Sequence, residues 1–295
     1  MKQLRLLLLV VVCGLSAAVT ARAQISVGIS IKERFHILHE PINATVVVTN
    51  LTGRDITLSD TPQYQWFGFR ITAEGDRVIP ARNLHYKLPP LPVKAGETVK
   101  RTVDLHQLYD LGDFGTYRVQ STIYYDGLDK FFVSRPTHIE LTEGRTIWRK
   151  TAGVPEGQPS GGQMRVFSLL AHQKGEINTL YIRVEDKDDG SIFCTLPLGR
   201  LLDGVPPQAE FDSANNLYIM QLIANRSYVM TKITSNGEFA GQTAYSAPKT
   251  RPTLRKTADA ALQVIGGRRE SAVAQNAPVA PVPKLSARPA GLPSN

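Results

Sequence analysis

The sequence predicts an all-β protein. Short segments of alternating apolar and polar residues recur along the chain, and in the first, residues 25–31, every second residue is Ile or Val. A period of two places one side of a segment on a core and the other side in water, as in a half-buried strand. Turn signals rich in Gly, Asn and Asp separate the segments, which favours antiparallel pairing through short connections.

About seven such segments precede residue 145, a number that is typical of a single β-sandwich. They span residues 25–31, 42–48, 56–58, 66–73, 98–105, 117–125 and 131–141. Trp66, at the start of the fourth segment, is a candidate for the central aromatic residue of the core. Residues 88–92 contain three prolines, which cannot donate ladder hydrogen bonds, so this run predicts an edge or a loop.

A turn-and-strand motif precedes the sixth segment. The sequence Asp-Phe-Gly-Thr-Tyr-Arg-Val begins at Asp113 and has the pattern D-x-G-x-Y. In a tyrosine corner the Tyr hydroxyl bonds to backbone a few residues upstream, and a core residue follows two positions later. Asp113, Gly115, Tyr117 and Val119 are the predicted corner residues, with Val119 where such domains usually have Cys. This pattern and the strands around it resemble the immunoglobulin-like superfamily over residues 24–145, which implies an antiparallel sandwich and no particular activity.

The second half of the chain predicts another antiparallel β domain. Residues 146–163, rich in Gly, Pro and Ser, are the predicted linker, and residues 164–267 are the predicted domain. Two Leu-Tyr-Ile segments, at 180–184 and 217–220, each lead to a turn and a return strand, and they resemble blades of a β-propeller. Closure takes at least four blades, and the chain provides about two and a half. A second sandwich is therefore favoured, and an open set of propeller-like sheets is the alternative.

The first 23 residues have the pattern of a secretory signal peptide. Lys2 and Arg5 precede the apolar run 6–12, and residues 21–23 (Ala-Arg-Ala) form a cleavage site. The apolar run is shorter than the roughly 20 residues of a membrane-spanning helix, so no transmembrane anchor is expected. Residues 24–295 contain one cysteine, which cannot form an internal disulfide, and this favours a bacterial exported protein, periplasmic or secreted.

The formal net charge of +8 is unevenly distributed. Residues 249–295 hold eight Lys and Arg against two acidic residues, whereas residues 24–248 have a net charge of −1. A nucleic-acid-binding domain should carry its basic residues on a folded face, so no nucleic acid partner is expected. Near the C-terminus the composition narrows to Ala, Pro, Val and Ser without periodicity, which predicts a disordered basic tail over residues 268–295.

Residues with catalytic or metal-binding chemistry do not form a recognisable motif. His36 and His39 lie three apart beside Glu40, but a zinc helix needs His-Glu-x-x-His, and in a strand such a pair points to opposite faces. Residues 186–190 are acidic like a calcium loop but lack its spacing, so a hairpin turn is favoured. Cys194 is predicted to be a packed, inert thiol. No cofactor or metal is expected.

Aromatic residues offer one candidate surface. Tyr124, Tyr125, Phe131 and Phe132 could form a platform for a sugar or a protein, although alternation places about half of them inside and favours a core role.

The sequence favours a non-enzymatic binding or scaffolding protein that acts through sheet edges and loops. Its expected partner is a protein or a cell-envelope polymer. One alternative is an inhibitor of a secreted protease, with residues 88–92 as the inhibitory loop. Another is a hydrolase whose acidic residues and histidines converge from distant positions.

Overall fold

The computed structural model describes residues 24–82, 86–257 and 261–270. Nearly all of the regular structure in these ranges is antiparallel β-sheet, so the predicted fold class is confirmed. The predicted signal peptide, residues 1–23, lies outside the described residues. Within the described ranges, every helix is too short to span a bilayer.

The first half of the chain forms two main sheets and a small two-stranded one. Its strands are β1 (Ile25–Ile31), β2 (Phe35–Ile37), β3 (Asn43–Asn50), β4 (Ile56–Leu58), β5 (Phe67–Thr72), β6 (Leu91–Val93), β7 (Thr98–Asp104), β8 (Gly115–Tyr125), β9 (Lys130–Val133) and β10 (Thr137–Thr142). One sheet has the order β1-β3-β7, the other the order β2-β10-β8-β5 with β9 also paired to β8, and β4 pairs with β6. These orders correspond to the A-B-E and C-F-G strands of an immunoglobulin-type sandwich.

Alternation along β3 shows why the sequence forms this sandwich. Ala44, Val46 and Val48 are buried in the core, while the residues between them face outward. The hydroxyl of Thr45 lies 2.8 Å from that of Thr102 on β7, a cross-strand pair that satisfies both side chains on the outer face. Trp66, the predicted central aromatic, is the largest fully buried side chain and is 1% exposed.

The sequence missed three local features of this half. Residues 131–141 form two strands, because Pro136 cannot donate a hydrogen bond to the ladder. Just before this break, the Ser134 hydroxyl accepts from the N–H of Ser121, and the N–H of Ser134 donates to the carbonyl oxygen of Ser121. Strand β2 pairs in parallel with β10, which lies about a hundred residues further along the chain, so no local sequence pattern predicts this pairing. A single helical turn, α1 (Leu105–Leu108), begins where the Asp104 carboxylate accepts a hydrogen bond from the N–H of His106.

The second half consists of two antiparallel meanders and a hairpin. Its strands are β11 (Arg145–Gly153), β12 (Met164–Lys174), β13 (Ile177–Asp186), β14 (Ile192–Arg200), β15 (Gln208–Phe211), β16 (Leu217–Ala224), β17 (Ser227–Ile233), β18 (Phe239–Ser246), β19 (Thr253–Lys256), β20 (Leu262–Ile265) and β21 (Arg268–Arg269). Strands β11 to β14 form one sheet in chain order, β15 to β18 with β21 form the next, and β19 pairs with β20. The two larger sheets share one core, to which Phe167, Leu180, Phe211 and Ile219 contribute.

Two predicted boundaries differ from the structure. The predicted linker 146–163 begins with most of strand β11. Most residues of this strand are exposed, and only Ile147, Trp148 and Ala152 pack partly against the core, so its sequence does not show the alternation of a half-buried strand. The Gly- and Pro-rich residues 154–163 close the β11–β12 hairpin, where the N–H of Val154 donates to the carbonyl of Gln163 at 2.8 Å. At the other end, the predicted tail 268–295 starts with β21, which pairs with β18, and residues 271–295 lie outside the described range.

Candidate functional site

The four predicted corner residues lie at the start of β8. The hydroxyl of Tyr117 donates to the carbonyl oxygen of Asp113 at 2.8 Å, and the ring of Tyr117 is 1% exposed. Gly115 has a φ of 131°, a backbone conformation that other residues rarely adopt. Val119 is fully buried in the sandwich core. This corner fixes the entry of the chain into β8, and its exposed carboxylate, that of Asp113, pairs with Arg77 at 2.8 Å.

An exposed aromatic surface lies at the opposite end of β8. We use this name for Tyr64, Tyr124, Phe131 and Val133. Phe131 lies directly opposite Tyr124 across β8 and β9, and Val133 is two residues further along the same face. Tyr64, from the connection between β3 and β5, contacts both rings, with centroids 4.8 Å from Tyr124 and 5.2 Å from Phe131. Tyr64, Phe131 and Val133 are 46, 44 and 49% exposed.

Tyr124 anchors this surface from beneath. It is buried, and its hydroxyl donates to the Asp129 carboxylate at 2.8 Å in the turn between β8 and β9. That hydrogen bond, followed by burial, raises the pKa of Tyr124 to about 12, so the hydroxyl remains a donor at neutral pH. Of the four aromatic residues predicted as a platform, Phe131 is exposed, whereas Tyr125 and Phe132 belong to the core. Tyr64 was missed because it precedes β5 in an irregular segment.

A largely buried polar cluster, with the exposed Glu33 at its edge, joins the two halves of the chain. This junction cluster consists of Glu33, His36, Glu40, His172 and Lys174. Lys174 Nζ donates to Glu33 Oε2 at 2.6 Å and to Glu40 Oε1 at 2.9 Å. His36 Nδ1 also contacts Glu40 Oε1, and His172 Nε2 lies 2.6 Å from the hydroxyl of Thr142.

Charge compensation keeps Glu40 ionised in this cluster. Burial alone would raise the pKa of Glu40, but the hydrogen bond with His36 and the positive charge of Lys174 outweigh it, and the pKa is lowered. Burial, and then the charge of Glu40, raises the pKa of the neighbouring Tyr181 far above its ordinary value. Both carboxylates of the cluster are paired with Lys174, so the cluster is suited to holding the two halves together.

The predicted His36 and His39 pair separates, as expected for two positions three apart. His36 faces the junction cluster, whereas the ring of His39 meets that of His106 on α1 edge to face, with centroids 5.5 Å apart. Within the described ranges, no three His, Cys, Asp or Glu side chains are grouped so that they could hold a metal ion.

Residues 186–190 form the turn between β13 and β14. Asp186 Oδ1 accepts the N–H of Asp188 at 2.8 Å, and Asp186 Oδ2 pairs with the buried Arg165. The Asp186 carboxylate therefore bonds to the turn backbone and to Arg165, as expected for a hairpin turn. Cys194 lies on β14, where burial raises its pKa to about 12.

Residues 88–92, the predicted inhibitory loop, are attached to the sandwich. The Trp66 indole N–H lies 3.5 Å from the Leu88 carbonyl oxygen. Residues 91 and 92 belong to β6, which pairs with β4. The prolines at positions 89, 90 and 92 are exposed, in agreement with an edge position.

Comparison with models of known protein families found no match, and no curated protein matches the chain significantly.

Proposed function

We propose that this protein is an exported, non-enzymatic binding protein that recognises a partner protein through the aromatic surface. The observation that carries the proposal is the exposure of Tyr64, Phe131 and Val133 side by side. A contiguous apolar patch on a protein surface commonly marks an interaction site, whereas scattered apolar residues do not.

The position of the surface in the sandwich supports this function. Tyr64 lies in the connection that corresponds to B–C, and Tyr124 and Phe131 flank the turn that corresponds to F–G. In antibody variable domains the connections at this end of the sandwich contact the antigen. Tyrosine side chains suit such contacts because they offer large, rigid area at a low entropic cost.

A protein fits this surface better than a polysaccharide does. The three rings pack against one another at interplanar angles of 48 to 82°. Each ring therefore partly covers the face of another, and the rings do not form a flat platform on which a sugar could stack. In the described part of the chain β9 pairs only with β8, and β1 packs close to it, so Phe131 and Val133 would meet a partner through their side chains. Aromatic side chains are enriched at protein interfaces, where such exposed rings become buried against the partner.

Export is supported by the signal-peptide pattern of residues 1–23, and it places the binding reaction in the periplasm or outside the cell. The mature protein is expected to begin at Gln24, and mass measurement of the chain recovered from the exported fraction tests this start.

Photo-crosslinking in cells tests the binding function. A crosslinking amino acid at position 131 should yield a discrete adduct with a protein, and the adduct should be lost when Tyr64 is replaced by Ser. Position 114 is the matched control, since Phe114 is also exposed but lies beside the corner at the other end of β8. The proposal fails if position 131 yields no adduct or the same adducts as position 114. Adducts with a protease from positions 88–92 would instead favour the inhibitor alternative.

A further inference from the structure

The outer face of the last sheet contains a groove that the proposed function does not use. Strands β16 and β17 turn one face toward the shared core, and the other face of β16, β17 and β18 is partly covered by the β19–β20 hairpin. Between them lies a groove of about 430 Å³, within the range of small-molecule sites. Its lining residues are Tyr218, Met230, Tyr245, Leu262, Val264, Gly266, Gly267 and Arg269.

Three apolar side chains line the groove beside a larger polar surface of backbone groups, tyrosine hydroxyls and Arg269. Met230 belongs to the sheet, and Leu262 and Val264 to the hairpin. Gly266 and Gly267 have φ values of 77 and 64°, and a Cβ at Gly266 would lie 2.6 Å from a backbone oxygen. Only glycine fits there, so this wall is preformed by the fold.

Two hydroxyls and one guanidinium in the groove are available to bind a ligand. Neither the Tyr218 nor the Tyr245 hydroxyl has a hydrogen-bond partner among the described residues. Arg269 lies directly opposite Tyr245 across β18 and β21, so both side chains project from the same face. Within the described ranges no acidic side chain pairs with Arg269, since the adjacent Glu270 contacts the Ser246 hydroxyl instead.

A second cation lies close by. Lys232 is directly opposite Tyr218 on the neighbouring strand, and its ammonium lies 5.3 Å from the Tyr218 ring centroid. None of the described residues that line the groove carries a carboxylate. Three apolar side chains, two available hydroxyls and a guanidinium with no acidic partner among the described residues together match a molecule with an apolar body and one negative charge.

We propose that this groove binds a small amphipathic anion, with the apolar body between Met230 and Val264 and the carboxylate or sulfonate on Arg269. A charged hydrogen bond from a guanidinium contributes more than a neutral one, so Arg269 should dominate the selectivity for anions. The tyrosine hydroxyls then donate to the same anionic group or to polar atoms beside it.

Fluorescence titration of the full chain with 8-anilinonaphthalene-1-sulfonate, an aromatic sulfonate, tests the proposal. Saturable binding at one site is expected, and Arg269→Gln should weaken it about tenfold, equal to about 1.4 kcal/mol. Arg268→Gln is the matched control, because it removes the same charge from a side chain on the other face of β21. Val264→Trp should abolish binding by filling the groove, and Phe114→Ser, which changes an exposed side chain outside both proposed sites, should leave it unchanged.

Competition identifies the chemical class of the ligand. Decanoate should displace the probe at least tenfold better than decanol or decyltrimethylammonium. The proposal is wrong if Arg268→Gln and Arg269→Gln weaken binding equally, if the three competitors act alike, or if Val264→Trp has no effect while the variant remains folded. It is also wrong if the probe binds only to a chain that ends at Glu270, because the groove would then be occupied by the chain's own C-terminal segment.

Discussion

Lys174 Nζ lies 2.9 Å from Oε1 of Glu40, and this ion pair connects the second half of the chain to the first. Both side chains are largely withdrawn from solvent, and Ile37, Leu170 and Tyr181 form an apolar cluster nearby. Removing one member of a buried pair is far more costly than replacing both, because the remaining charge is buried without compensation.

Replacing Lys174 by Met should therefore destabilise the protein strongly. We expect the free energy of unfolding to fall by about 3 kcal/mol, since the buried Glu40 loses its lysine and keeps His36 and Tyr181 as neighbours. Urea denaturation measures this change, and Lys187→Met, in the exposed β13–β14 turn, is the control. Adding Glu40→Gln to Lys174→Met should recover part of the loss. An unchanged denaturation midpoint in the single variant would show that the pair contributes nothing to stability.

Three partly or fully buried histidines should make stability depend on pH. Burial is the largest cause that lowers the pKa of His39, His106 and His172, and that of His106 falls to about 4. Below about pH 6.5 the unfolded chain therefore binds protons that the folded chain does not bind. The stability from neutral burial should be complete above that pH and decrease as the pH falls toward 4.

Urea denaturation at a series of pH values from 8 to 4 checks this expectation. His106→Gln should give a shallower decrease than the unchanged protein, because it removes the group with the largest of these shifts. Lowering the pH further should protonate Glu40. Because its pKa is lower in the folded protein than in the unfolded chain, the ionised carboxylate stabilises the fold above the ordinary pKa of glutamate, and this stability is lost as the pH falls through the lowered pKa. A flat profile between pH 6.5 and 4 would contradict the burial of all three rings.

Local pattern was sufficient to predict most strands of the sandwich but not the contacts between distant segments. The alternation in residues 25–31 predicted β1 within its observed bounds, because one face of that strand packs on the core. The junction cluster pairs Lys174 with Glu40 across 134 residues, and no spacing in the sequence indicates such a pair. Strand β11 was hidden because most of its residues are exposed, which removes the hydrophobic period on which prediction depends.

In the candidate sites, too, single residues could be predicted from local sequence, whereas contacts between distant segments could not. Phe131 could be named from the sequence as a surface candidate, whereas its contact with Tyr64 depends on how the connection before β5 folds back. The groove depends on β21 and on the β19–β20 hairpin, which lie in a stretch with little periodicity. Arg269 therefore looked like part of a basic tail, although it pairs with Tyr245.

The tyrosine corner should contribute measurably to the stability of the sandwich. Tyr117→Phe removes the hydroxyl that bonds to the Asp113 carbonyl and leaves the ring in place, so we expect a loss of about 1 kcal/mol in urea denaturation. Tyr125→Phe is the matched control, since Tyr125 is similarly buried and its hydroxyl has no hydrogen bond among the described residues. Equal effects of the two substitutions would assign the loss to the ring environment and not to the corner hydrogen bond.

Cys194 should be unreactive in the folded protein. Burial raises its pKa to about 12, and only the thiolate attacks thiol reagents. Since an unperturbed cysteine has a pKa near 8.5, the thiolate fraction of Cys194 at pH 8 should be roughly a thousandfold lower than that of a free thiol. The rate with a colorimetric disulfide reagent measures this difference, with the urea-unfolded chain as reference.

The Cys194 side chain packs beside Gly237, where an added Cβ would lie 3.4 Å from Cys194 Sγ and 3.1 Å from Val184. Gly237→Ala should therefore disturb the packing and speed the reaction, whereas a native rate close to the unfolded rate would mean that the thiol is accessible and available for chemistry.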